Sequence, residues 1–135
     1  MEINQQGQIM KKPILCLDFD GVCHSYTSGW QGVTNIPDPA VPGLFEFLEE
    51  ATKVFDVQVY STRSATDAGR LEMLRWFMDE RKAWREKGGQ GTEVLTISFP
   101  ESKPPALVTI DDRAVLFTGV WPDVTELRAF KPWNK

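Results

Sequence analysis

Short apolar runs alternating with amphipathic stretches set the frame of this chain. Residues 1–12 are polar and read as a flexible tail outside the fold, after which ILCLDF, beginning at Ile14, has the length and continuity of a buried strand. Gly21 ends that run. Residues 21–42 show no sustained period and carry Gly29, Gly32, Pro37, Pro39 and Pro42, the pattern of a long loop. After Pro42 and Gly43, LFEFLEEATK spaces its apolar residues along one helix face. VFDVQVY then alternates as a strand does, and residues 67–87 place Leu71, Leu74, Phe77 and Met78 on one side of a longer helix. Gly88, Gly89 and Gly91 close that helix. VLTIS, ALVTI and AVLF follow as the third, fourth and fifth expected strands, with a last helix near residues 123–130.

Strands that alternate with helices, each too apolar for a water-facing sheet, predict an α/β fold. The expected architecture is a Rossmann-like three-layer sandwich with a central five-stranded, mostly parallel sheet, helices on both faces, and a single domain over residues 13–135. Composition supports a folded domain: of 135 residues, 41% are hydrophobic and 25% charged, which argues against disorder or low complexity. Nineteen acidic against fifteen basic residues give a net charge of −4, which argues against a protein that holds nucleic acid mainly through non-specific charge. No apolar run is long enough to span a membrane and the first residues lack a secretory signal pattern, so the expectation is a cytoplasmic protein without membrane association. Cys16 and Cys23, with a single histidine in the chain, form neither a disulfide framework nor a zinc spacing and read as reduced thiols.

In open α/β sheets, ligands bind at the carboxyl ends of the strands near the point where strand order reverses, and here those ends carry the chemistry. Asp18 and Asp20 follow the first strand, Ser61, Thr62 and Arg63 the second, Asp111, Asp112 and Arg113 the fourth, and Lys103 lies just before the fourth. They converge if the first strand lies between the second and the fourth. Clustered carboxylates repel one another unless a cation neutralises them, and Mg2+ suits hard oxygen ligands such as Asp18 with Asp111 or Asp112. Lys103 and the Ser61 hydroxyl would hold phosphoryl oxygens, a carboxylate held there can act as nucleophile, and Asp20 would protonate the leaving alcohol and later deprotonate the attacking water.

DFDGV at 18–22, the serine after the second strand, Lys103 and the pair Asp111 and Asp112 together resemble the four motifs of the haloacid dehalogenase superfamily, in the right order over residues 13–118. The resemblance implies Asp18 as nucleophile, Asp20 as general acid and base, Ser61 and Lys103 as phosphate binders, and a magnesium site of Asp18, Asp111 and Asp112 to which Asp20 adds its backbone carbonyl. Members that cleave carbon–halogen bonds lack an aspartate at the second position, so Asp20 favours phosphoryl transfer. The intervals from Asp20 to Ser61 and from Ser61 to Lys103 leave no room for a cap domain, which implies an open site; the loop around residues 25–38 is the candidate for a partial lid. STR at 61–63 and DDR at 111–113 further resemble the phosphatase domain of phage-type polynucleotide kinase phosphatases, which implies a substrate contact for Arg63 and support of the acidic pair by Arg113.

The expected activity is therefore a magnesium-dependent phosphohydrolase that acts through an aspartyl-phosphate intermediate on a phosphomonoester: a nucleotide, a nucleic-acid end or a small phosphorylated metabolite. The alternative is a non-catalytic or partner-dependent binding or regulatory protein of the same fold. Several residues have plainer readings. The basic residues of the long helix, among them Arg70, Arg75 and Arg81, are interleaved with Glu72, Asp79 and Glu80 and read as a solvated face. His24, in the loop after Asp20, reads first as a packing residue and second as a substrate contact. Trp30, Trp121 and Trp133 read first as packing and second as stacking platforms for a base or sugar.

Overall fold

The computed structural model describes residues 3, 5–8, 11–92 and 94–135. Of the expected N-terminal tail, residues 1, 2, 4, 9 and 10 lie outside the described residues. The elements are β1 (Ile14–Asp18), α1 (Leu44–Val54), β2 (Asp56–Tyr60), a 3-10 turn (Thr62–Ala65), α2 (Asp67–Glu86), β3 (Ile97–Ser98), β4 (Val108–Ile110) and α3 (Val124–Arg128). All strand pairings are parallel and the sheet has four strands in the order β3-β2-β1-β4, so β1 lies between β2 and β4 as convergence requires.

Register follows from side-chain alternation. Leu15 and Leu17 of β1 stand opposite Val57 and Val59 of β2, and these four residues form one face of the sheet. They share a single buried core with Leu44, Phe45, Leu48 and Ala51 of α1 and Met73, Trp76 and Phe77 of α2. Phe45 meets Phe77 edge to face with ring centroids 6.4 Å apart, so the two long helices also pack on each other.

This placement corrects the three-layer expectation: both long helices cover one face. The connections β1–α1–β2 and β2–α2–β3 step along the sheet in the same direction, and right-handed crossovers then put both helices on the same side. The return from β3 to β4 crosses in the opposite direction and would place a helix on the other face. Its residues, 99–107, include Pro100, Pro104 and Pro105 and form no helix, so the face carrying Cys16, Tyr60 and Thr109 receives no crossover helix.

A second correction concerns AVLF at 114–117, which does not join the sheet. Only residues 111–113 separate it from β4, far fewer than a parallel crossover needs, and Leu116 is 86% exposed. The third and fourth strands are also shorter than expected, β3 keeping only Ile97 and Ser98 of VLTIS. Among the described residues, no helix is long and apolar enough to cross a membrane. Cys16 and Cys23 are buried and unpaired.

Candidate functional site

The carboxyl ends of β1, β2 and β4 open into one cleft of about 360 Å³. Of the strand-end residues singled out in the sequence, Asp18, Asp20, Ser61, Thr62, Lys103, Asp111, Asp112 and Arg113 line it. Trp30, named as a stacking candidate, joins them, together with Cys16, Tyr26, Tyr60 and Thr109, which sequence reasoning had not placed at the site. Alternation held the signal for two of these. Cys16 precedes Asp18 by one full strand period and pairs in register with Thr109, so both belong to the face from which Asp18 rises.

Asp18, Asp111 and Asp112 each bring a carboxylate oxygen within 4.8 Å of the others. Burial, followed by a hydrogen bond with Asp112 and the nearby charges of Asp111 and Asp112, pushes the Asp18 carboxyl up to about 8. Asp112 Oδ1 is buried without a hydrogen-bond partner among the described residues. Gly21 lies against the Asp112 side chain, and the reason for a glycine there is geometric: its φ is +89°, and a Cβ would lie 2.2 Å from Asp112 Oδ2. Three hard oxygen donors that repel one another, one of them with an unused buried lone pair, fit a divalent cation. On one side the trio is braced, since Arg113 N donates to Asp111 Oδ1 at 2.8 Å and Arg113 Nε lies 3.7 Å from Asp112 Oδ2.

Cationic and hydroxyl groups face this trio from the rest of the cleft. Ser61, nearly buried at the end of β2, accepts a 3.1 Å hydrogen bond from Arg63 N on its Oγ, while its backbone is fixed by a reciprocal pair with Ser64. The Oγ hydrogen has no acceptor among these bonds and is available to the cleft. Thr62 and Lys103 are exposed on the rim.

The Asp20 carboxylate stands apart from the acidic trio. Its Oδ1 meets His24 Nδ1 at 2.8 Å, and Arg63 Nε reaches Oδ2 at 3.0 Å and Oδ1 at 3.3 Å. Arg63 therefore departs from the expected substrate contact. Its side chain is fully buried, and Nη1 donates to the carbonyls of Gly32, Val33 and Asn35 at 2.7, 2.8 and 3.2 Å. Its guanidinium lies 4.6 Å from the Trp30 ring centroid. Arg63 thus ties the loop of residues 26–38 to Asp20 and stands behind the cleft lining. The loop's ends are joined by Ser25 N donating to Pro39 O at 2.9 Å, and its base is closed by Ser28, whose Oγ and N donate to Asp38 at 2.6 and 2.8 Å. Burial would raise the Asp38 carboxyl, but these Ser28 bonds and a further one from Thr27 outweigh it and hold the group below its usual range. Tyr26 enters the cleft from this loop with φ +61°, a conformation that costs a non-glycine residue on the order of 1 kcal/mol.

The remaining tryptophans and basic residues lie outside the cleft lining, and Trp121 and Trp133 are largely exposed rather than the packing residues expected. Trp76 is core and donates to Asp38 O at 2.9 Å, and Trp133 Nε1 donates to Gly21 O at 2.8 Å, laying the end of the chain against the turn beside Asp20. Trp121 is 84% exposed and meets Phe117. Arg70 and Arg75 pair with acidic residues three positions earlier on their own helix, as a solvated face does, whereas Arg81 departs from that reading: it is largely buried and pairs with Glu49 of α1 at 2.9 Å. A larger groove, about 710 Å³, runs between α2 and the β3 segment; its lining is mainly apolar, with Leu74, Met78 and Leu95, and it brings no convergent chemistry together. No protein-family model matches the chain, and comparison with curated proteins and with solved structures finds no match.

Proposed function

We propose that the protein is a phosphohydrolase of the haloacid dehalogenase type that cleaves phosphomonoesters. The observation that carries this reading is the meeting, in one cleft, of a three-carboxylate cluster with Lys103 and the Ser61 hydroxyl, in the strand order that the motif resemblance needs. Asp18, Asp111 and Asp112 would hold Mg2+, which supplies charge neutralisation for the carboxylates and for a phosphoryl group. A carboxylate oxygen of Asp18 attacks phosphorus as the bond to the leaving alcohol oxygen breaks, and Asp20 gives that oxygen its proton. Asp20 then takes a proton from water, the water oxygen attacks the phosphorus of the aspartyl phosphate, and inorganic phosphate leaves with the Asp18 carboxylate restored. Lys103 and Ser61 hold the non-bridging oxygens through both steps. Because the cleft is open and its rim carries Thr62, Lys103 and Arg113, the substrates to try first are nucleotides and 3′-phosphorylated oligonucleotides, beside sugar phosphates.

The test is phosphate release from that panel with magnesium or with EDTA, by the native chain and by Asp18→Asn. The expected result is magnesium-dependent release that falls by at least about 10³-fold in the variant, the scale on which loss of a covalent nucleophile acts. A native chain that binds magnesium and releases phosphate from none of these esters would favour a non-catalytic binding protein instead.

A further inference from the structure

His24 is one of the most buried polar residues of the molecule and it does not line the cleft. Both of its ring nitrogens are engaged, and one bond fixes the state of the other. The backbone N–H of Asp38 points at His24 Nε2 over 3.0 Å, and an amide hydrogen can point only at a lone pair. Nε2 accepts that amide, with Asp38 Oδ2 a further 3.5 Å contact, and the tautomer that suits both ring bonds carries its proton on Nδ1, facing Asp20 Oδ1 across 2.8 Å. The imidazole plane has little freedom to turn, since it stacks on Phe19 with centroids 5.5 Å apart and meets Trp76 and Tyr26 edge to face at 5.8 and 5.9 Å. The backbone around it is equally fixed: His24 N donates to Phe19 O, and Gly21 N donates to His24 O.

We infer that His24 is a positioning residue for Asp20: its Nδ1–H commits Oδ1 of that carboxylate and leaves Oδ2 as the oxygen that gives and takes the proton. This deepens the phosphohydrolase reading and rests on it. Oδ1 receives donors from both His24 and Arg63, whereas Oδ2 receives only Arg63 Nε among the described residues. The two oxygens are thus inequivalent before substrate arrives. Asp38 and Ser28 complete the chain of restraint, because the loop closure that orders the Asp38 amide also holds Nε2.

Leaving-group dependence separates this role from a packing role. An alkyl phosphate needs its leaving oxygen protonated, while a nitrophenyl phosphate leaves without that help. In His24→Leu, kcat on an alkyl phosphate should fall about 10- to 100-fold, against a change within about threefold on the nitrophenyl ester. Both esters are measured on one preparation, so any loss of folded protein divides out of the ratio. His24→Asn, whose side-chain amide can place an N–H near the Nδ1 position, should restore most of the ratio. Independently of turnover, the two-bond 1H–15N spectrum of the native imidazole should show the proton on Nδ1. Equal losses on both esters, or a ring protonated on Nε2, would overturn the assignment. If the native chain cleaves neither ester, the phosphohydrolase reading falls and this role falls with it; if it cleaves both and His24→Leu leaves the ratio unchanged, only the role of His24 falls.

Discussion

Asp18 and Asp20 are separated only by Phe19, yet their carboxylates answer to opposite surroundings. Asp18 lies with Asp111 and Asp112, three acids whose oxygens sit within 4.8 Å of each other, and burial, followed by the hydrogen bond with Asp112 and the neighbouring charges, drives the Asp18 carboxyl up to about 8. Asp20 meets a buried guanidinium and a histidine N–H, and beyond that histidine Asp38 is held low by its Ser28 and Thr27 hydrogen bonds. In the first region three acids crowd together and Asp112 Oδ1 is buried without a partner; in the second the Asp20 carboxylate is met on both oxygens, and Arg63 Nη2 is the buried atom left without one among the described residues. A carboxylate cluster of this kind works against the stability of the chain, while the compensated network holds Asp20 and the loop of residues 26–38 in place. On the phosphohydrolase reading proposed above, the first part would meet the ligand and the second would orient Asp20.

The largest expected stability effect lies in the compensated region. Arg63→Met removes the partner of a nearly buried Asp20 and the donor to three loop carbonyls, and should cost about 3–5 kcal/mol of unfolding free energy. Urea titration of the two chains measures it. A loss below about 1 kcal/mol, the scale of a surface pair, would mean that the network is not the anchor described. In the unsatisfied region the sign reverses. Asp18→Asn, made without divalent cation near pH 7, should raise Tm by several degrees, because the buried side chain no longer has to take up a proton on folding, and a fall in Tm would contradict the contrast.

A smaller effect sharpens the comparison by its pH dependence. Folded Asp18 keeps its proton up to about pH 8, while in the unfolded chain it loses the proton near 3.8. Between those values the folded state binds more protons, so in EDTA this group's contribution to stability falls as pH rises from about 4 to about 8. Asp38 acts in the opposite sense: its folded carboxyl is depressed, so its contribution is full above the ordinary carboxylate range and is lost as pH falls through the lowered value. The urea midpoint of the native chain in EDTA should therefore decline from pH 5 to pH 8, and Asp18→Asn should flatten that decline. An unchanged slope in the variant would assign the decline to other groups.

How far the molecule could be read from its residues follows from the same contrast. β1 was legible as a continuous apolar run and β2 by its alternation, and both end in polar groups at the same level. The meeting of Asp18, Ser61, Lys103, Asp111 and Asp112 was legible once β1 stood between β2 and β4. The short β3 and β4 were overread because apolar runs of strand length do not reveal how many residues find a partner, and 114–117 had no strand within reach. Helices on both faces were expected from apolar strands alone, whereas the helix-free return from β3 to β4 leaves one face without them. Arg63 and His24 were the least legible. Their partners include the carbonyls of Gly32, Val33 and Asn35 and the amide of Asp38, backbone groups of a loop that carry no sign in the side-chain pattern.

The most direct test of the central claim is to stop the reaction with acid during turnover of the best phosphomonoester and map the phosphoryl group by peptide mass spectrometry. The account predicts a magnesium-dependent, acid-stable and hydroxylamine-sensitive phosphoryl group on Asp18, absent from Asp18→Asn. Phosphate release that proceeds at full rate in Asp18→Asn, or a phosphoryl group carried on another residue, would contradict it.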